Sequence, residues 1–316
     1  GTTIANLAAH NSSKVTLWAK EEEVANSINT THLNSKFLPK IPLQKNIKAT
    51  NSLDDAISNS SIIIVAVPSL FFRQLAKQIS PKIKEKGTIV VSVTKGLESG
   101  STKTMSQILE DELPPSCKIL ALSGPNHAEE VSKKIPTATV VAGKDDKAVS
   151  KVRQALQTPW FTVFPHHDIL GVELCGAVKN ITAIAVGVGD ALQAGDNATG
   201  ALITLGLREM AILGKSFGAK QSTCYGLAGV GDLVATCTSK HSRNRLAGEL
   251  LGKSTKPDNL QAAMKGKVAE GIQTTKSVQS YAEKNNLKLP LTNAVFQVLY
   301  KGKSLQKSIS DLLDSL

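Results

Sequence analysis

The stretch "SIIIVAVPSLFFRQLAKQISPKIKEKGTIVVSVTKG", Ser61–Gly96, decides the fold. It opens with a continuous β-branched run, 61–68, that stops at Pro68-Ser69. A helical pattern follows over 70–80. A second apolar run, 88–94, then stops at Thr94-Lys95-Gly96. Runs without polar alternation suit strands buried on both faces. Strand, helix and strand in this order predict a parallel pair joined by a crossover helix.

The same alternation extends in both directions. Further strands are expected at 14–18, 118–124, 137–143 and 161–164, with helices at 52–59, 101–112, 127–133 and 145–157. "GTTIANLAAHN" reads as an amphipathic opening helix. After "FTVFPHHD" the texture changes, and helical patterns alone follow at 169–190, 197–217, 242–251, 257–265, 270–284, 291–300 and 304–315. The expected architecture is α/β: a doubly wound, Rossmann-like, mostly parallel sheet over residues 1–166, then an all-helical domain over 167–316.

Composition narrows the function. Of 316 residues, 41% are hydrophobic and 20% charged, as in a globular chain. Aromatics are only 4%, which disfavours a single-strand nucleic-acid binder built on stacking platforms. The net charge of +11 favours anionic partners, yet no long Lys/Arg block occurs, so much of that charge reads as solvated surface. Cys117, Cys175, Cys224 and Cys237 form no C-x-x-C pair and read as reduced thiols of a cytoplasmic protein. We find no signal peptide or anchor, no stable membrane insertion is expected, and no cluster has metal-ligand spacing.

In a parallel sheet the carboxyl ends of the strands share one edge, and ligands bind in the crevice outside it. Pro68-Ser69, Lys95-Gly96 and the turn Ser123-Gly124-Pro125-Asn126-His127 therefore converge there. Gly1 reads as the third glycine of a G-x-G-x-x-G loop, with the first strand and two glycines expected upstream. That loop would seat a pyrophosphate at a helix N-terminus. Lys20 follows the 14–18 strand, where an adenosine ribose lies in such folds. A base there suits NADP and an acid suits NAD, and Lys20 beside Glu21, Glu22 and Glu23 leaves both open.

The most unusual residue is Lys179. It lies inside "GVELCGAVKNITAIAVGVGDAL", 171–192, an apolar stretch interrupted by Glu173, Lys179 and Asp190. A lysine there snorkels to water, pairs with a carboxylate, or is desolvated for proton transfer. Further along, "GVGDLVATCTSKHSRNRLAGELLG" supplies Asp232, a carboxylate able to pair with Lys179. It also holds Ser242-Arg243-Asn244 at a helix start, a donor set suited to an oxyanion or equally to an ordinary cap. His127, His166 and His167 read as structural or exposed.

These segments, together with "SGPNHAEEV" and "VAEGIQTTKSV", resemble the bacterial-type NAD(P)-dependent glycerol-3-phosphate dehydrogenases over nearly the whole chain. The resemblance implies that Lys179 is the catalytic proton donor and acceptor, and that Lys95 contacts substrate and cofactor. It places Gly124, Asn126, Asp232, Ser242, Arg243 and Asn244 around a small phosphorylated substrate. Asn126 stands where the family usually has Ser or Thr. Ala128, Arg243, Val268 and Glu270 join Gly1 and Lys20 on the cofactor side. It further implies interconversion of dihydroxyacetone phosphate and sn-glycerol 3-phosphate with NAD(H) or NADP(H) and no metal, supply of glycerol 3-phosphate to phospholipid synthesis, and a homodimer. Competing readings are a 3-hydroxyacid or 6-phosphogluconate-type dehydrogenase, and a non-enzymatic nucleotide-binding protein.

Overall fold

The computed structural model describes residues 1–265 and 267–314. The sheet-bearing half runs α1 (Thr2–Asn11), β1 (Val15–Trp18), α2 (Glu22–Thr31), β2 (Leu33–Asn34), β3 (Leu38–Pro42), β4 (Ile47–Thr50) and α3 (Leu53–Ile57). It continues through β5 (Ile62–Val65), α4 (Phe72–Ile79), β6 (Ile89–Ser92), α5 (Met105–Glu112), β7 (Lys118–Ser123), α6 (Ala128–Ser132), β8 (Thr137–Gly143), α7 (Asp146–Leu156) and β9 (Phe161–His166). The rest is helical: α8 (Ile169–Ala191), α9 (Gly195–Phe217), α10 (Gln221–Cys224), α11 (Asp232–Thr238), α12 (Arg243–Gly252), α13 (Leu260–Ala263), α14 (Glu270–Lys284), α15 (Pro290–Lys301) and α16 (Leu305–Asp314). Residues 315 and 316, which include the end of the last expected helix, lie outside the described residues.

Five strands form one sheet in the order β5-β6-β7-β8-β9. The first three are parallel, with Val90 pairing Ile63 on one side and Ile119 on the other. Their carboxyl ends share an edge as expected, because β6 is buried along its whole length between its neighbours. The next strand is the exception in a mostly parallel sheet: β8 runs antiparallel to β7, with Ala121 opposite Ala142. A strand buried on both faces looks alike in either direction, so its residues carry no sign of the reversal.

The 14–18 strand departs from the expectation, since β1 joins a separate two-stranded parallel sheet with β4. β4, "IKAT", buries only Ile47 and Ala49 and lacks the apolar run that marks the other strands. The β2–β3 hairpin and α2 were likewise not expected. Helix α1 lies over both sheets: Ile4 and Leu7 pack with β5, β6 and β7, while Ala5 and Ala9 pack with β1 and β4.

In the helical half, α8 is long and apolar enough to cross a membrane, but most of it is buried inside the protein. Its sides are covered by α9, α11, α12 and α14, and it forms the spine of the largest apolar core. The α8–α12 contact is backbone against backbone. A Cβ on Gly187 would lie 2.0 Å from the Arg245 carbonyl oxygen, and one on Gly248 would lie 2.0 Å from that of Ile184. Gly248→Ala is therefore expected to destabilise the chain by about 1–3 kcal/mol through overpacking. Gly200→Ala, on an open face of α9, should be neutral or stabilising by up to about 1 kcal/mol. Thermal melts of the two variants check this contrast.

Candidate active site

The site forms where the carboxyl edge of the sheet meets α8. After β6, Thr94 Oγ1 donates to the Val67 carbonyl at 2.7 Å and ties together the turns that follow β5 and β6. Lys95 leaves this joint toward α8. Gly176 makes room for it: a Cβ there would lie 2.6 Å from Ser123 Oγ and 3.5 Å from the Lys95 chain. After β7, Gly124 has φ +148, a conformation that L side chains rarely adopt, and a Cβ would meet the Thr139 backbone at 2.9 Å.

Asp232 is the hub. It opens α11 directly after a glycine-rich turn, Leu227–Gly231, that kinks at Gly229, and it is 1% exposed. Lys179 Nζ donates to its Oδ1 at 2.6 Å, and Lys95 Nζ donates to its Oδ2 at 2.8 Å. Lys179 donates also to Thr236 Oγ1 at 2.5 Å. Lys95 donates also to the Gly124 carbonyl at 2.8 Å and to Asn126 Oδ1 at 3.0 Å. Asn126 Nδ2 in turn donates to Thr139 Oγ1 at 3.1 Å.

Electrostatics follow from this packing. Burial lowers Lys179 to about 8; Asp232 opposes the shift, and the Lys95 ammonium adds to it. Burial pushes the Asp232 carboxyl up, but the two ammonium groups together outweigh that and hold it below the usual range. The fork is thus a buried anion between two cations, one of them poised to give up its proton near neutral pH. His127 faces the same site. Burial lowers its pKa, with Lys179 adding to the effect, and its Nε2 lies 3.4 Å from the Ala235 carbonyl.

A second set of bonds starts at Asn180, next to Lys179 in the chain, and reaches α12 and α14. Asn180 Oδ1 accepts from Asn244 Nδ2 at 2.8 Å, and Asn244 Oδ1 accepts from the Gly271 amide at 2.9 Å. Asn244 is therefore largely committed within the protein, with one amide hydrogen left for a ligand. Ser242 is the N-cap of α12 and accepts from the Arg245 amide at 3.1 Å. Arg243, next to it, is exposed, and its charge partly offsets the rise that burial causes at Glu270. Arg245 turns away, donating to Asp190 at 2.6 Å and pairing with Glu249 at 3.0 Å.

Lys95, Gly124, Asn126, Lys179 and Asp232 thus meet directly, while Asn244 pairs with Asn180, the chain neighbour of Lys179. Lys20, Ala128 and Val268 are exposed and stand outside the network. Thr236 and Asn180 were not expected as site residues. Thr236 follows Asp232 by one helical turn, a spacing that brings both to one face. The glycine-rich lead-in conceals that helix in the sequence.

A dinucleotide fits the remaining surfaces. The N-terminus of α1 has no side-chain cap, so its first amides are free for an anion, and Gly1 sits beside Ala66 just past β5. Glu270 bridges the crevice: its carboxylate accepts from the Ser69 amide at 3.1 Å and from the Ser69 hydroxyl. Among the described residues no group of His, Cys, Asp and Glu could hold a metal ion.

Comparison with known proteins identifies the family. The family models for the NAD-dependent glycerol-3-phosphate dehydrogenase N-terminus and C-terminus match residues 1–149 and 168–310. The chain is 41% identical to glycerol-3-phosphate dehydrogenase [NAD(P)+] of Bacillus subtilis, over 99% of this chain and 91% of that one. It is 42% identical to the Staphylococcus aureus enzyme of the same name, over 99% and 95%. The crystal structure of glycerol-3-phosphate dehydrogenase from Coxiella burnetii superposes with a TM-score of 0.94 at 36% identity, covering 99% of this chain and 95% of that chain. With a lysine pair forked on one buried aspartate at the mouth of a Rossmann-like sheet, and these matches along its length, the chain belongs to the NAD-dependent glycerol-3-phosphate dehydrogenase family.

Proposed function

We propose that this chain interconverts dihydroxyacetone phosphate and sn-glycerol 3-phosphate using NAD(H) or NADP(H), with residues 1–166 holding the cofactor and 167–316 the substrate. The observation that carries the reading is the Lys179–Asp232–Lys95 fork in a family whose relatives are named for this activity. When bound, the nicotinamide supplies or accepts the hydride. The chain's own residues manage charge and protons. Lys179 Nζ stabilises the negative charge that develops on the carbonyl oxygen, then gives up its proton to it. In the reverse direction the neutral amine takes the hydroxyl proton. Asp232 holds the ammonium in place together with Thr236, and Lys95 supplies a second cation at the same edge.

Arg243 and Asn244 hold the substrate phosphate in this reading, with Ser242 beside them and Gly124 and Asn126 lining the opposite wall. Gly1, Lys20, Ala128, Val268 and Glu270 line the cofactor side. The product enters phospholipid synthesis, and the chain works as a cytoplasmic homodimer. Sedimentation of the purified chain and fractionation of cells test those last two points. The primary test is turnover of dihydroxyacetone phosphate with NADH and NADPH against a panel of 3-oxoacids. Reduction of an oxoacid with none of the ketone phosphate overturns the assignment.

Lys179→Ala is expected to lower kcat by about 10²–10⁴, as loss of a general acid does, with cofactor binding retained. The pH dependence has a defined sign. Ketone reduction needs the ammonium, so its kcat/KM should fall as pH rises through about 8, while alcohol oxidation rises over the same range. Asp232 raises the lysine, so Asp232→Asn should move this inflection downward. Stopped-flow pH profiles in both directions read the result.

The two neighbouring arginines separate binding from structure. Arg243→Ala should raise KM for the phosphorylated substrate tenfold or more, since a charged hydrogen bond contributes about 1.5–3 kcal/mol. Arg245→Ala should leave KM nearly unchanged and lower the melting temperature, because Arg245 is held by Asp190 and Glu249. Equal KM effects would move the phosphate away from Arg243.

Cofactor choice is read at Lys20. Lys20→Ala should weaken NADPH more than NADH, measured as the ratio of the two kcat/KM values. An unchanged ratio removes Lys20 from the cofactor site.

A further inference from the structure

Glu173 lies on α8 and is 6% exposed, yet it meets no cation among the described residues. Its carboxylate accepts from the Ser106 amide at 2.8 Å and from the Ser106 hydroxyl. Burial without a counter-charge pushes it up to about 7, so a carboxylate here is costly to fold around. Glu173 takes a first-turn amide of α5 that the helix's own cap leaves unpaired. Thr104 and Gln107 already form a reciprocal capping box at that helix start. What Glu173 adds is a bond from the helical half of the molecule to the segment that follows Lys95.

That segment is tied down at several points. Leu97, two residues past Lys95, is 1% exposed and inserts into the apolar core around α8. The backbone closes on itself next, with the Glu98 amide donating to the Lys103 carbonyl at 2.9 Å and the Thr102 amide to the Glu98 carbonyl at 3.0 Å. Arg73 grips Glu98 through two nitrogens, at 2.6 and 2.8 Å. The segment between Lys95 and Ser106 is thus anchored at Leu97, at Glu98 and, through Glu173, at Ser106. On α8, Glu173, Gly176 and Asn180 follow at i, i+3 and i+7, so one helical face meets Ser106, the Lys95 chain and the Asn244 amide in turn.

We infer that Glu173 is a positioning residue for the reaction: through Ser106 it sets the register of the Lys95 segment against α8, and so the placement of Lys95 relative to Lys179. This rests on the reading of Lys95 as a group that contacts substrate and cofactor.

The test uses the full chain with Glu173→Ala, Glu173→Gln, Ser106→Ala, Lys95→Ala and the double variant Glu173→Ala/Lys95→Ala, each checked for folding by circular dichroism. A misplacement of about 1 Å can cost up to about 10²-fold. Glu173→Ala is accordingly expected to lower kcat/KM by about 10–100-fold. Glu173→Gln keeps an acceptor for the amide and a partner for the hydroxyl, and is expected to stay within about threefold of wild type. Lys95→Ala should be strongly impaired, and adding Glu173→Ala to it should cost little more, because residues acting as a unit are not additive.

A folded Glu173→Ala protein within twofold of wild type overturns the inference. So does a Glu173→Ala loss that multiplies in full on the Lys95→Ala background. If Glu173→Ala does not fold, Ser106→Ala decides in its place: a loss confined to the Lys95-intact background supports the inference, and no loss overturns it. Lys95→Ala with wild-type kinetics instead overturns the reading of Lys95 itself.

Discussion

A single carboxylate organises the candidate site of this molecule. Asp232 presents one oxygen to Lys179 and the other to Lys95. Without it two ammonium groups would face each other in a nearly dry pocket, and without them a bare anion would be buried. Breaking a buried charge set by removing one member is strongly destabilising, whereas the intact set is close to neutral. The fork is better understood as a device for location than for stability. It brings a cation from the sheet and a cation from the helical half to one place, and it keeps one of them soft enough to lose its proton.

The same logic recurs across the junction of the two halves. Asp232, Glu173 and Glu270 all belong to the helical half, and each receives donors from a turn or helix start of the sheet half: Lys95, Ser106 and Ser69. Acceptors on one side meet donors on the other, and all three sheet-side partners follow strands β5 or β6. Glu209 shows the contrast. It is equally buried, but its carboxylate caps α15 within the helical half, accepting from Leu291 at 2.5 Å and Thr292 at 3.0 Å. Carboxylates at the junction bear on the site, and the one beneath it holds the bundle.

What the sequence disclosed followed the strength of each local signal. The β5, β6 and β7 strands were legible because apolar runs end at Pro68, Lys95-Gly96 and Ser123-Gly124. Those ends mark one wall of the crevice. The reversal of β8 was not legible, since a doubly buried strand bears no mark of direction, and β4 was hidden by its polar positions Lys48 and Thr50. Lys179 stood out as a charge in an apolar helix, and Asp232 as a carboxylate able to pair with it. Thr236 did not, because the glycines of "GLAGVG" mask the helix that carries it. Glu173 was visible as an interruption of the apolar stretch. Its partner Ser106 lies 67 residues earlier, a separation that no periodicity reveals.

The α8 helix has a consequence for how such chains can diverge. It carries Glu173 and Gly176 toward the sheet, Lys179 toward Asp232, Asn180 toward α12 and Gly187 against the α12 backbone. Each residue along an α-helix advances the facing direction by about 100°. Inserting or deleting a single residue between Gly176 and Gly187 would leave the first contacts in place and rotate all later ones off their partners. Exchange of apolar side chains along α8 leaves those directions intact. This helix can therefore drift in composition while its length stays frozen, and the loops between the other helices are where change in chain length can accumulate.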